Sequence, residues 1–224
     1  MIARLRMVIA TDISDSLHQE AAAEDYIDEF RKENAEHLSF EDGAFGFCFC
    51  KAAYHHLPRP MIGVYEMLRV ANLRVALIEP NDTYFPSNFL IHAFTVLQNF
   101  GRRLLGRQVE RHAFEEAGNY CCCPSRREVE KLALGMVLRW IAFCGVNDTY
   151  IPGSKTELVS EDGPIFRRTR RGVALRNLLC RTGIMDYKLL SSMIFVSASS
   201  TPHEATVGGS LSDVALPRNS YSGE

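Results

Sequence analysis

The residues best suited to chemistry in this chain fall where strand-like runs end. Asp12 closes the apolar run at residues 7–10. Cys50, Lys51, His55 and His56 follow an aromatic run that starts at Phe45, and Glu79 closes the aliphatic run at residues 74–78. In open parallel α/β sheets, ligands lie outside the carboxyl ends of the strands, and an acidic residue just past a strand accepts hydrogen bonds from ribose hydroxyls. Asp12 has that position. Histidine titrates near neutral pH, so His55 and His56 are the candidate bases for taking a proton from a hydroxyl nucleophile. The bland alternative is that one of them packs against or caps the helix that follows. Glu79 is the alternative carboxylate, with an equal claim to being a solvated strand end.

The elements that must position these side chains follow from periodicity. Residues 45–50 alternate aromatic and small side chains, as a strand does. Pro58 and Pro60 then punctuate a loop, and Met61, Val64, Tyr65 and Leu68 give residues 61–70 a one-sided apolar helix face. Residues 74–79 form a second strand. Upstream, residues 7–10 read as a strand and residues 16–32 as a helix carrying Leu17, Ala21, Tyr26, Ile27 and Phe30. Strands separated by helices favour a parallel, doubly wound sheet.

Beyond Asp82 the pattern changes to helices at 88–107 and 125–138, separated by an aromatic and cysteine-rich insert at 114–124. Later strands are expected at 140–144 and 193–196, one of them an antiparallel edge, around a basic helix at 170–179. The expected organisation is one α/β domain over 1–196, with a helical insertion at about 86–139 and a disordered tail at 197–224.

Composition sets outer bounds. The chain has 224 residues, 46% of them hydrophobic, enough for one sizeable core. A net charge of −2 gives no global attraction to nucleic acid or anionic membranes, so a small soluble partner is expected. Seven cysteines, without a secretory pattern at the start, suit reduced thiols and a cytoplasmic location. No apolar run approaches the roughly 20 residues that span a bilayer.

Read in order, VIATD ending at Asp12, Asn34-Ala35-Glu36 followed by HLSFEDGAFGFCFC, residues 51–56 and the LIEP strand resemble the class I S-adenosylmethionine-dependent methyltransferases. KAAYHHLPRPMIGVYEMLRV, GNY, SRREVEK, ALG and GVNDTYI extend the resemblance over roughly 7–196. It implies a doubly wound, mostly parallel Rossmann-like sheet with a helical insertion, S-adenosylmethionine as cofactor, and methyl transfer to a small-molecule or glycan-like acceptor. By the same resemblance Asp12 would accept the ribose hydroxyls, and Asn34 and Ala35 would meet the adenine edge. Cys50, Lys51 and Ala52 would line the sulfonium region, with His55 or His56 near the acceptor.

Two features depart from the family pattern. No glycine-rich strand-to-helix turn precedes Asp12, and Phe45-Gly46 stands where the family has Phe-Asp. The sheet is therefore expected to lack its first strand, with truncation at the N-terminus favoured over re-use of residues 1–10. A non-catalytic methyltransferase-like binding module or a gene fragment is the second reading. A nicotinamide dehydrogenase shares the acidic strand end but fits the Asn-Ala-Glu element less well and also needs the missing glycines.

Other motifs rank lower. Adjacent Cys121, Cys122 and Cys123 cannot easily converge on one tetrahedral ion, so no metal is expected. Arg167, Arg168, Arg170 and Arg171 read first as a solvated helix face. Arg126 or Arg127 could pair an anionic acceptor, but Ser125 followed by Glu128 fits a helix capping box better. Residues 147–150 read as turn chemistry first and pocket chemistry second.

Overall fold

A computed structural model describes residues 7–14, 27–82, 89–106, 120–149, 151–153, 157, 162–197 and 212–217. Two ladders organise it. Strand β1 (Ile9–Asp12) runs parallel to β2 (Glu29–Lys32), with Asp12 opposite Lys32. Residues 29–32, expected at the end of a helix, are thus a strand. Pairing with β1 overrides the weak helix propensity there. Most of that expected helix, residues 15–26, lies outside the described residues.

The second sheet has five strands in the order β3-β4-β6-β5-β7. Strand β3 (Phe45–Lys51) is parallel to β4 (Ala71–Pro80), and helix α1 (Pro60–Val70) connects them. Pro60 opens α1, where its missing N–H costs nothing. Gly63, Val64, Leu68 and Val70 are the residues of α1 that become buried. Helices α2 (Phe89–Leu104) and α3 (Arg126–Gly135) follow. Strand β5 (Trp140–Val146), helix α4 (Pro164–Arg181), β6 (Leu189–Phe195) and β7 (Ser212–Ala215) complete the order.

The architecture is α/β, parallel where the chain begins and mixed afterwards. Strand β6 inserts antiparallel between β4 and β5, and β7 pairs antiparallel with the far edge of β5. Residues 212–215, inside the tail expected to lack structure, therefore form a strand; an exposed β5 edge is a template for pairing, and β7 covers it. Among the described residues no ladder joins β1 to β3.

The core lies where α1 and α3 meet the sheet. Val75, Ile141, Ile194 and Ala133 are fully buried, with Leu68, Leu77 and Val129 packed around them. Each such aliphatic side chain contributes about 1.5–3 kcal/mol by leaving water. Helix α3 is held at its start by a complete capping box: the Glu128 N–H donates to the Ser125 side chain, and the Ser125 N–H donates to the Glu128 carboxylate at 2.8 Å. The capping reading of Ser125 and Glu128 is the one observed. At the carboxyl end of β5, the Tyr187 ring lies against Gly145 so closely that a Cβ there would sit 2.1 Å from Cδ2.

Candidate active site

Because β3 and β4 are parallel, their carboxyl ends lie side by side, with Lys51 opposite Ile78. The chain leaves β3 through Ala52, whose φ of 51° lies in the left-handed region. For a residue with a Cβ this costs about 1–2 kcal/mol, and such strain clusters at functional sites. The Ala52 N–H still donates to the Ile78 carbonyl at 3.0 Å, so the strained residue is pinned to the end of β4. A short 3-10 turn, Tyr54–His56, comes next.

Glu79 organises this turn. Its side chain has no solvent exposure, so the expectation of a solvated strand end is overturned. The aliphatic strand places residue 79 on its inward face, and local donors satisfy the carboxylate there. The main-chain N–H groups of Ala53 and Tyr54 donate to Oε1 at 3.0 and 3.1 Å. The Cys50 thiol approaches the same oxygen at 3.5 Å. Oε2 faces His55 Nδ1 at 2.7 Å. His55 is itself only 12% exposed, and the exposed His56 ring lies 4.0 Å from it, centroid to centroid. The Cys122 N–H donates to the His55 carbonyl at 3.3 Å, bringing the cysteine-rich loop over the turn.

The thiols here are donors rather than nucleophiles. Burial first, and the neighbouring Glu79 second, push the Cys50 thiol up to about 12. Burial pushes Cys48 and Cys123 up to about 11. Tyr54 is raised too, by burial and then by Cys122 and Glu128. Among the described residues no group of three or more His, Cys, Asp or Glu side chains is placed to hold a metal ion.

Asp12, Asn34 and Ala35 form a second group. The Glu33 N–H donates to the Asp12 carbonyl at 2.9 Å, so the ends of β1 and β2 bring Asp12 next to the Asn34 turn. Asp12 Oδ1 accepts the Ser14 N–H at 2.7 Å, and Asn34 Oδ1 accepts the Glu36 N–H at 3.0 Å. Ala35 passes over Gly63 of α1, where a Cβ would lie 3.6 Å from the Ala35 carbonyl oxygen and 2.6 Å from Leu57 Cδ1.

Two carboxylates latch this segment to α1. Glu36, nearly buried, accepts the Arg59 N–H and pairs with its guanidinium at 2.7 Å. Glu66 accepts the Leu38 N–H, while Arg69 bridges Glu66, Asp42 and the carbonyls of Leu38 and Phe40. The sequence reading missed these latches, although the i,i+3 spacing of Glu66 and Arg69 signals the inner pair.

The structure therefore brings Cys50, Lys51, His55 and His56 to one strand-end cluster around Glu79, with Cys50 turned toward Glu79 and Lys51 exposed. The Glu36–Arg59 latch ties Asn34 and Ala35 to the start of α1, three residues after His56. Asn147 is buried, donating to Asn177 at 2.8 Å and accepting the Lys188 N–H at 3.2 Å, which is a structural role. Arg167 and Arg170 lie 3.9 and 3.6 Å from Asp162 on the exposed face of α4.

The fold is mixed α/β, with the candidate site at the carboxyl ends of its parallel strands. Residues 1–75 match the family model described as a methyltransferase domain, a span that contains Asp12, Asn34, Ala35, Cys50, Lys51, His55 and His56 but not Glu79. Similar solved structures include a SAM-dependent methyltransferase of Thermotoga maritima, 12% identical, covering 85% of this chain and 73% of that one with a TM-score of 0.47. Another, from Methanosarcina mazei, is 16% identical over 84% of this chain and 80% of its own, with a TM-score of 0.45. A geranyl diphosphate C-methyltransferase of Streptomyces coelicolor, in complex with S-adenosyl-L-homocysteine, is 13% identical over 85% of this chain and 63% of its own, with a TM-score of 0.46. No curated protein matches. No helix among the described residues is long and apolar enough to cross a membrane.

Proposed function

We propose that this chain transfers a methyl group from S-adenosylmethionine to a small-molecule or glycan-like acceptor. The observation that carries the reading is the methyltransferase-domain match over residues 1–75, which contains Asp12, Asn34, Ala35, Cys50, Lys51, His55 and His56. The residues present suit the cofactor. Asp12 offers a carboxylate at the end of a parallel strand for vicinal hydroxyls, and Asn34 offers an exposed side-chain amide one turn away. Lys51 and the left-handed Ala52 supply main-chain groups at the end of β3. Cys50 contributes through its backbone, since its thiol faces Glu79.

Bound, the cofactor supplies an already activated methyl group. What remains for the protein is to hold the acceptor, exclude water and receive a proton. His55 and His56 are the groups suited to that last task.

Incubation with methyl-tritiated S-adenosylmethionine and fractionated small-molecule and oligosaccharide pools tests the reading. Label is expected in one of these fractions and absent after Asp12→Ala. Cofactor binding without label in any fraction would favour the non-catalytic binding module.

A further inference from the structure

We propose that Glu79 is the positioning residue that fixes His55 with its proton on Nδ1. His55 Nε2 is then the atom that takes the acceptor's proton. The inference rests on the methyl-transfer reading for its purpose and on geometry for its content.

Oε1 of Glu79 is occupied by the N–H groups of Ala53 and Tyr54 and by the Cys50 thiol, leaving Oε2 to His55 Nδ1 at 2.7 Å. A carboxylate only accepts, so Nδ1 donates. In the neutral ring the lone pair then lies on Nε2, for which the described residues provide no hydrogen-bond partner. The acceptor class served is one whose nucleophile carries a proton, a hydroxyl or an N–H. As that proton moves, the O–H or N–H bond breaks and leaves its electron pair on the nucleophile, while the Nε2 lone pair forms the new N–H bond. The resulting imidazolium faces a carboxylate that is fully buried, so its charge is met without reorganisation.

Glu79→Gln separates this role from a merely structural one. The glutamine Oε1 can still accept from Ala53 and Tyr54, which keeps the turn. Its NH2 now faces Nδ1 and donates, forcing the His55 proton onto Nε2. The experiment is nitrogen-15 imidazole spectroscopy of the full chain at about pH 8.5, above the ordinary histidine range, with His55→Gln and His56→Gln assigning the signals.

The expected result is a pyridine-like Nε2 and a pyrrole-like Nδ1 for His55, exchanged in Glu79→Gln. An Nε2–H tautomer, an averaged pair of signals or a doubly protonated ring in the unsubstituted chain would overturn the proposal. So would an unchanged pattern in folded Glu79→Gln; should that variant not fold, the unsubstituted spectrum alone decides. Titrating S-adenosylmethionine into the same sample tests the underlying reading separately. If no signal moves while the Nδ1–H tautomer is present, methyl transfer fails and the Glu79–His55 geometry stands.

Discussion

At the residue scale, Glu79 carries more of the site than any single histidine. It holds the N-terminal end of the 3-10 turn and one nitrogen of His55 from a position with no solvent exposure. Glu79→Leu would leave two main-chain donors without their partner, at a cost of about 1–3 kcal/mol each. A loss of at least about 2 kcal/mol in urea unfolding is expected from these values, and an unaltered midpoint would contradict the assignment. Cys50 beside it gives a pH dependence. Its thiol is raised from 9.0 to about 12 in the folded chain, so the unfolded chain releases this proton first. The stability tied to the neutral thiol is whole below pH 9 and is lost as pH rises toward 12. Each net proton contributes a slope of about 1.4 kcal/mol per pH unit within that window. Urea midpoints between pH 8 and 11 should fall, less steeply in Cys50→Ala; equal slopes would remove Cys50 as the cause. The sequence placed Glu79 at a strand end but not inside the protein. Burial there depends on the Ala52 reversal folding three donors back over it, which no local pattern announces.

At the element scale, the β3–α1–β4 unit was legible because its signals agree. The alternation of residues 45–50, the Pro60 start and the aliphatic run into Glu79 each specify one element, and their order specifies a parallel pair. Strand β2 was not legible: four residues, Glu29–Lys32, carry too little periodicity to compete with a helical reading until β1 pairs with them. The tail strand β7 likewise exists through pairing with β5 rather than through its own composition. Two substitutions test the elements that frame the strand ends. Ser125→Ala removes the capping box of α3 and is expected to cost about 1 kcal/mol. Gly145→Ala drives a methyl group into the Tyr187 ring, where overpacking costs about 1–3 kcal/mol, with Tyr187→Ala relieving part of the loss. Thermal unfolding of the two single variants and the Gly145/Tyr187 pair reads both; a neutral Gly145→Ala would mean that β5 and residue 187 are not in contact.

At the scale of the whole molecule, the described chain is two ladders joined through latches rather than through one continuous sheet. Glu36–Arg59 and the Arg69 network tie the segment after β2 to α1, and Glu79 ties the turn after β3 to β4. The candidate cofactor groups at Asp12, Asn34 and Ala35 and the candidate proton acceptor at His55 therefore belong to different sheets held against a common helix. That arrangement is productive only if Asp12 and the end of β3 address the same ligand. Calorimetric titration of the chain and of Asp12→Ala with S-adenosylmethionine tests this most directly. Saturable binding in the chain, weakened at least about tenfold in the variant, corresponds to a charge-assisted hydrogen bond worth roughly 1.5–3 kcal/mol. A folded chain that gives no heat of binding, or a variant that binds as tightly, would contradict the assignment of this site.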